Sequence, residues 1–183
     1  NAHGRLESLT DSTGLSVSYG YDPTGQWLTS FTDSFGTTGY SYVTDGSAAQ
    51  NAFSDIAFAD GTHVYFGYDA RGRLIDTHVD GDAQKQTITY GDVGGYTIAD
   101  ANDHASTVLY GLYGTTAQTI DPLGNVTRFS YDADLNLTEV RDALGIRTTS
   151  TYDLKGHLTS LTDPLGTTTF IYDRYGDLTG YTD

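Results

Sequence analysis

Runs of six or seven residues rich in Thr, Tyr, Val, Ile, Leu and Phe recur along the chain, separated by short polar segments. Ile146-Arg-Thr-Thr-Ser-Thr-Tyr152 and Thr167-Thr-Thr-Phe-Ile-Tyr172 have the length and the β-branched, aromatic content of strands. Alternation puts Ile146, Thr148, Ser150 and Tyr152 on one face, and Arg147, Thr149 and Thr151 on the other. One face is moderately apolar and the other polar. The alternation fails in places: Leu158 and Leu161 fall on opposite faces. Such strands are expected to be covered on both sides or to bulge.

The punctuation between runs is more regular than the runs. Ten Asp-x-x-Gly tetrads start at Asp11, Asp22, Asp33, Asp69, Asp92, Asp121, Asp142, Asp153, Asp163 and Asp173. A type I turn favours Asp first, Pro second and Gly fourth; the carboxylate accepts backbone N–H bonds and Gly supplies a left-handed residue. Followed by that Gly, the turn closes a short hairpin through a bulge. The three prolines of the chain, Pro23, Pro122 and Pro164, all occupy the second position. Asp121-Pro-Leu-Gly124, Asp142-Ala-Leu-Gly145 and Asp163-Pro-Leu-Gly166 lie 21 residues apart, with Tyr131-Asp132, Tyr152-Asp153 and Tyr172-Asp173 between and after them. One strand every ten or eleven residues predicts an all-β antiparallel meander of about sixteen or seventeen strands. So many strands are expected to curl into a spiralling sheet in which each repeat buries apolar surface only against its neighbours.

The whole chain, 1–183, reads as a single repeat array. The repeats are regular over 1–42, 61–75 and 115–183, irregular or inserted over 43–60, and degenerate over 76–114. The insertion is expected to be a surface loop, with a binding loop as the functional alternative. Strand-like runs persist in the degenerate part at 84–90, 95–99 and 107–113. Asn1-Ala-His-Gly4 is a tetrad with Asn replacing Asp, and Asp183 falls where another would begin, so a fragment of a longer array is expected.

Composition narrows the function classes. The net charge is −15 and there are no cysteines, which excludes a disulfide scaffold, a thiolate metal site and a cysteine nucleophile. Phosphate recognition needs a basic face, so nucleic acid is not an expected partner. With 37% hydrophobic and 13% aromatic residues the chain is too apolar for a disordered acidic tail. No apolar run reaches membrane-spanning length. Of the 24 acidic residues only Glu7 and Glu139 are Glu; the rest are Asp, and about half of those sit in the tetrads. Much of the acidity is therefore turn chemistry.

Tyr152-Asp-Leu-Lys-Gly-His-Leu158 followed by Asp163-Pro-Leu-Gly166, with Tyr21-Asp22, Tyr68-Asp69, Tyr131-Asp132 and Tyr172-Asp173 in phase, resembles the YD repeats of the RHS (rearrangement hotspot) family. The resemblance implies a spiralling β-sheet that closes into a hollow shell, as in bacterial polymorphic toxins, insecticidal toxin complexes and teneurins. It implies a non-catalytic segment of a secreted or surface-exposed bacterial protein, part of a wall enclosing a toxin or cargo polypeptide. The expected partners are adjacent repeats and an enclosed toxin domain. No residue here matches the family's self-cleaving aspartyl centre. The alternative is an extracellular adhesion or assembly module that binds cell-surface glycans or stacks edge to edge into filaments.

Chemistry outside the repeat logic is sparse, and no catalytic, cofactor or metal residue is assigned. His3, His63, His78, His104 and His157 show no metal-ligand spacing and read as surface histidines. Asp80-Gly-Asp82 and Asp132-Ala-Asp134 are the nearest approach to a calcium loop, but turn capping accounts for most of the repeated Asp. A Gly-x-Ser-x-Gly elbow, a distinct carboxylate pair and a phosphate loop are all absent. The tyrosines of the Tyr-Asp pairs read as a cross-strand ladder, with sugar stacking beside Trp27 as the alternative. Asn125-Val-Thr127 and Asn136-Leu-Thr138 match the glycosylation sequon in a chain where Thr is abundant everywhere.

Overall fold

A computed structural model describes residues 4–183. His3 and most of the first expected tetrad lie outside the described residues. The chain divides into two compact units, residues up to 88 together with 99–103, and residues 89–98 together with 104–183. The first unit carries β1 (Ser8–Thr10), β2 (Ser16–Tyr21), β3 (Leu28–Asp33), β4 (Gly36–Tyr42), β5 (Phe53–Ala57), β6 (His63–Tyr68), β7 (Leu74–Val79) and most of β8 (Ala83–Tyr90). β9 (Tyr96–Asp100) starts in the second unit, which continues with β10 (Ala105–Tyr110), β11 (Thr116–Ile120), β12 (Val126–Tyr131), β13 (Leu137–Arg141), β14 (Arg147–Tyr152), β15 (Leu158–Asp163), β16 (Gly166–Tyr172) and β17 (Leu178–Thr182). The only helical segments among the described residues are 3₁₀ turns at Asp80–Asp82 and Leu112–Gly114.

Within each unit the strands pair antiparallel in chain order, β1 through β8 in the first and β10 through β17 in the second. The all-β antiparallel meander read from the sequence is what the chain forms. The extra residues of 43–60 resolve into a loop and a strand. The loop turns back through Val43 N–H to the Ala52 carbonyl and Asn51 N–H to the Val43 carbonyl, and β5 then pairs with β4. In the degenerate stretch the strand-like runs become β8, β9 and β10.

Seven hairpins carry a bulge at the same place, and this resolves the broken alternation. Tyr152 pairs with Leu158 while Thr151 pairs with Ser160, so Thr159 is the extra residue. One inserted residue reverses the facing of what precedes it, which returns Leu158 to the face of Leu161. Tyr21/Leu28, Tyr42/Phe53, Tyr68/Leu74, Tyr110/Thr116, Tyr131/Leu137 and Tyr172/Leu178 repeat the arrangement. Beside the bulge, threonine hydroxyls donate to carbonyls of the partner strand. Thr138 donates to the Ser130 carbonyl and Thr179 to that of Ile171, each at 3.1 Å.

Each such tyrosine lies at the end of its strand, and three of them reach back across the preceding hairpin. The hydroxyls of Tyr42, Tyr68 and Tyr152 donate to the carbonyls of Leu28, Phe53 and Leu137, the first residue of the preceding strand, at 2.7, 2.8 and 2.9 Å. Burial pushes the Tyr42 and Tyr68 hydroxyls above their ordinary pKa. Tyr152→Phe keeps the ring and deletes the bond. It is expected to lower stability by about 1 kcal/mol, a shift of about 3 °C in a thermal melt.

The two faces of the sheet differ. In the second unit Phe129, Val140, Leu161, Phe170 and Tyr181 share one face through the cross-strand register. Arg128, Glu139, Arg147, Thr149, Ser160, Thr162 and Thr169 share the other. Side chains bond across the strands on this polar face: Arg147 Nη2 to Glu139 at 2.9 Å, Thr162 to Thr167 at 2.8 Å and Thr169 to Thr182 at 2.5 Å. On the apolar face Phe129, Val140, Leu161 and Phe170 stay part-exposed and Tyr181 is exposed. Among the described residues Ala49 is the one buried hydrophobic residue, at 6% exposure.

Candidate functional site

The turns are built as the tetrad predicts. In Asp121-Pro-Leu-Gly124 the carboxylate accepts the N–H groups of Leu123 and Asn125 at 2.9 and 2.8 Å and the Asn125 amide at 2.8 Å. Gly124 N–H donates to the Asp121 carbonyl, and Asp121 N–H to that of Asn125. Most other tetrads repeat this pattern, and in Asp11, Asp22, Asp69, Asp121 and Asp153 such bonds hold the carboxyl below its usual range. The Thr24 hydroxyl, then the Trp27 N–H, take Asp22 down to about 2. The His157 ring, then its N–H, do the same for Asp153. Asp163 and Gly166 differ: they pair directly across a two-residue loop, and Gly166 takes no left-handed conformation.

Two turns were hidden because Gly is missing. Asp132-Ala-Asp-Leu135 closes like the others, with Leu135 N–H on the Asp132 carbonyl at 3.2 Å and Leu135 at φ +66°. Asp100-Ala-Asn-Asp103 does the same, with Asp103 at φ +63°. A left-handed Leu costs about 1–2 kcal/mol. Leu135→Gly is therefore expected to raise stability by about 0.5–1 kcal/mol after the entropy of Gly is counted, visible as a higher melting temperature.

The aspartate pairs considered for calcium are engaged in the fold. Asp132 accepts the N–H of Asp134 and two bonds from Asn136. Asp80 accepts the His63 N–H at 2.8 Å and the Tyr65 hydroxyl at 3.1 Å. No three acidic or imidazole groups among the described residues converge as a metal site would require.

The histidines are not uniformly surface groups. On the polar face of the first unit, Ser41, Asp55, Tyr65 and His78 are successive cross-strand partners. The Tyr65 ring is stacked between His63, at 5.6 Å, and His78, at 5.1 Å. His63 Nδ1 lies 2.6 Å from Asp55 and His78 Nδ1 lies 2.7 Å from Asp76, with Lys85 3.5 Å from Asp76 and 3.9 Å from Asp82. Burial works to raise the Asp55 pKa, but bonds from His63 and Ser41 outweigh it and hold it low. His157 is half-buried, 2.9 Å from Asp153 and stacked on Tyr172 at 4.9 Å. His104 lies in the turn before β10.

This row is the densest chemistry in the first unit, and the sequence reading passed over it. The signal was present in the register: with Tyr68 opposite Leu74 and one bulged residue, counting back puts Tyr65 opposite His78. Its geometry is that of a structural network. Ser41 and His63 both bond to Asp55, so the hydroxyl is not paired with an imidazole base as a nucleophile would be.

Trp27, the one tryptophan of the chain and so slender support for sugar stacking, packs 5.3 Å from Tyr42, which stacks at 5.0 Å on Phe53; Phe66 follows at 6.3 Å. A cavity of about 420 Å³ beside them is lined by Asp22, Trp27, Tyr40, Tyr42, Gln50 and Asn51 among others. Gln50 already accepts the Gly46 N–H and donates to Asn51, holding the loop.

The RHS Repeat family matches residues 1–38, 114–147, 131–168 and 152–183, more than half of the chain. The chain belongs to the RHS-repeat family. No curated protein matches its sequence. Solved structures similar to this RHS-repeat chain include the crystal structure of TcdB2-TccC3-TEV, at 16% identity and a TM-score of 0.58, covering 98% of this chain and 14% of that one. The Tc holotoxin pore of Photorhabdus luminescens, bearing a TccC3 mutation, matches at 15% identity and a TM-score of 0.59, covering 99% and 14%. The likeness is one of fold, and the chain spans about one seventh of the length of these structures.

Proposed function

We propose that this RHS-repeat chain is a non-catalytic wall segment of an exported protein, whose β-shell encloses a toxin or other polypeptide cargo. The observation that carries the reading is a sheet with one apolar and one polar face, whose apolar residues are not fully buried among the described residues. Rows of Phe, Val, Leu and Tyr at strand pitch, half exposed, suit a surface that meets another polypeptide. The bonded networks of the polar face suit the side that stays in water. Family membership and the fold shared with Tc toxin components support the same role.

The test is limited proteolysis of the intact parent protein, with and without the segment that corresponds to this chain. A wall segment predicts that its deletion exposes a previously resistant region to the protease. Unchanged resistance, or an enclosed region equally sensitive in the intact protein, overturns the proposal.

A further inference from the structure

Three arginines stand directly opposite one another in the second unit. Arg128 of β12 pairs with Arg141 of β13, and Arg141 with Arg147 of β14. All three are exposed on the polar face, and Gln118 of β11 continues the line beside Arg128. They are three of the nine basic residues in a chain of net charge −15. Like charges set directly across a ladder repel and destabilise the sheet. Among the described residues Arg147 has an acidic partner, Glu139 at 2.9 Å, while Arg128 and Arg141 have neither an ion pair nor a hydrogen bond. The carboxylates of the flanking turns are engaged elsewhere: Asp121 accepts the N–H groups of Leu123 and Asn125, and Asp142 those of Leu144 and Ile146.

The fold does not call for arginine in this line. Counting back from the Tyr of each Tyr-Asp pair finds the same line in other repeats. It reads Ser18, Thr32 and Thr37 in β2 to β4, and Thr149, Thr162 and Thr167 in β14 to β16. There hydroxyls bond across the strands, Thr32 to Thr37 and Thr162 to Thr167, each at 2.8 Å. In β12 to β14 three cations stand where those repeats have neutral, mutually bonded side chains. The row is thus a departure from the repeat, and it works against the sheet that carries it.

Opposed residues lie about 5 Å apart, so the row is about 10 Å long. Each guanidinium presents a planar fork of N–H donors that grips an oxyanion at two points. Three forks at this spacing suit a ligand with two or more negative charges inside that length. An extended polyanion suits them less, because beyond the row it meets the aspartate turns and Glu139. We infer that the row of Gln118, Arg128, Arg141 and Arg147 is a binding site for a compact, multiply charged phosphate-type anion, of the size of a diphosphate group. The inference concerns the polar face and stands whether or not a cargo is enclosed.

The test is titration of the 183-residue chain with inorganic pyrophosphate, with sodium chloride holding the ionic strength constant, followed by calorimetry and by melting temperature. Pyrophosphate is expected to bind saturably and to raise the melting temperature. Arg128→Gln and Arg141→Gln together are expected to weaken binding about tenfold. Without ligand the same double variant is expected to melt about 1–3 °C higher than the parent, because the repulsion is relieved. Glu139→Gln releases Arg147 and is expected to tighten binding about threefold. A nucleoside diphosphate titrated in parallel separates the sources: tighter binding than pyrophosphate points to an esterified ligand, weaker binding to the free anion. A melting temperature unmoved by pyrophosphate, an equal response to sulfate, or binding that survives the double variant overturns the inference. So does a ligand-free double variant that melts below the parent, which would make the row structural. A polyglutamate peptide that binds more tightly than pyrophosphate also overturns it, the occupant then being an extended acidic chain.

Discussion

Gly72→Ala is expected to lower stability by about 3 kcal/mol and the melting temperature by about 6–12 °C. Two separate effects add at this position. Gly72 closes the Tyr68-Asp69 turn at φ +77°, where an L side chain carries about 1–2 kcal/mol of strain. The space is also taken: a Cβ there would overlap the Ala48 carbonyl oxygen and stand 2.7 Å from its carbon. That carbonyl belongs to the loop after β4, whose neighbour Ala49 is the one buried hydrophobic residue among those described. The loop and the turn are thus packed backbone against backbone, and a methyl group has to part them. Gly61→Ala is the matched control. Gly61 has φ +85° with nothing within 4 Å of its missing Cβ, so only the strain should appear there, about 1 kcal/mol. Denaturant melts of the two variants separate the effects. Equal losses would mean that the loop does not rest on the turn.

The same contact marks the boundary between what the sequence shows and what it hides. Asp-x-x-Gly and Tyr-Asp report backbone requirements that are local, four or five residues long, so strand number and hairpin order were legible before any coordinates. Long-range packing has no such mark. Nothing in Ser47-Ala48-Ala49 says that this loop folds onto Gly72 rather than into solvent. Bulges lie in between. Leu158 and Leu161 contradict simple alternation, and that contradiction was the bulge, readable only as an irregularity until Thr159 was found unpaired. The turn at Leu135 was missed for the opposite reason: Asp132 and Asn136 supply enough hydrogen bonds to hold a left-handed Leu, so the expected Gly is not there. His63, Tyr65 and His78 are scattered in sequence and meet only through the cross-strand register, which one misplaced residue would have turned to the other face.

Acid should unfold this protein through its turns. Among the described residues these aspartates have carboxyls held below their ordinary range: Asp11, Asp22, Asp45, Asp55, Asp60, Asp69, Asp121, Asp132 and Asp153. Asp22 and Asp153 lie at about 2, against about 3.9 for an unfolded chain. A carboxyl whose folded pKa is depressed binds its proton more readily when unfolded. Its contribution is complete above about pH 4 and is lost as the pH falls towards the folded value near 2. The melting temperature is therefore expected to be level from pH 7 to about pH 5 and to fall steeply between pH 4 and 2. For six of the nine the causes are hydrogen bonds from backbone N–H groups and from Thr, Ser and Asn side chains, while Asp55, Asp69 and Asp153 also face His63, Arg73 and His157, so added salt should move only a minor part of the curve. If surface ion pairs governed acid stability instead, salt would flatten the curve. Asp→Asn at positions 22 and 153 keeps one acceptor oxygen in each turn and removes the ionisation. Together these changes should make the decline shallower between pH 4 and 2 at a moderate loss near neutrality, whereas a decline as steep as the parent's would place the acid sensitivity outside the turns.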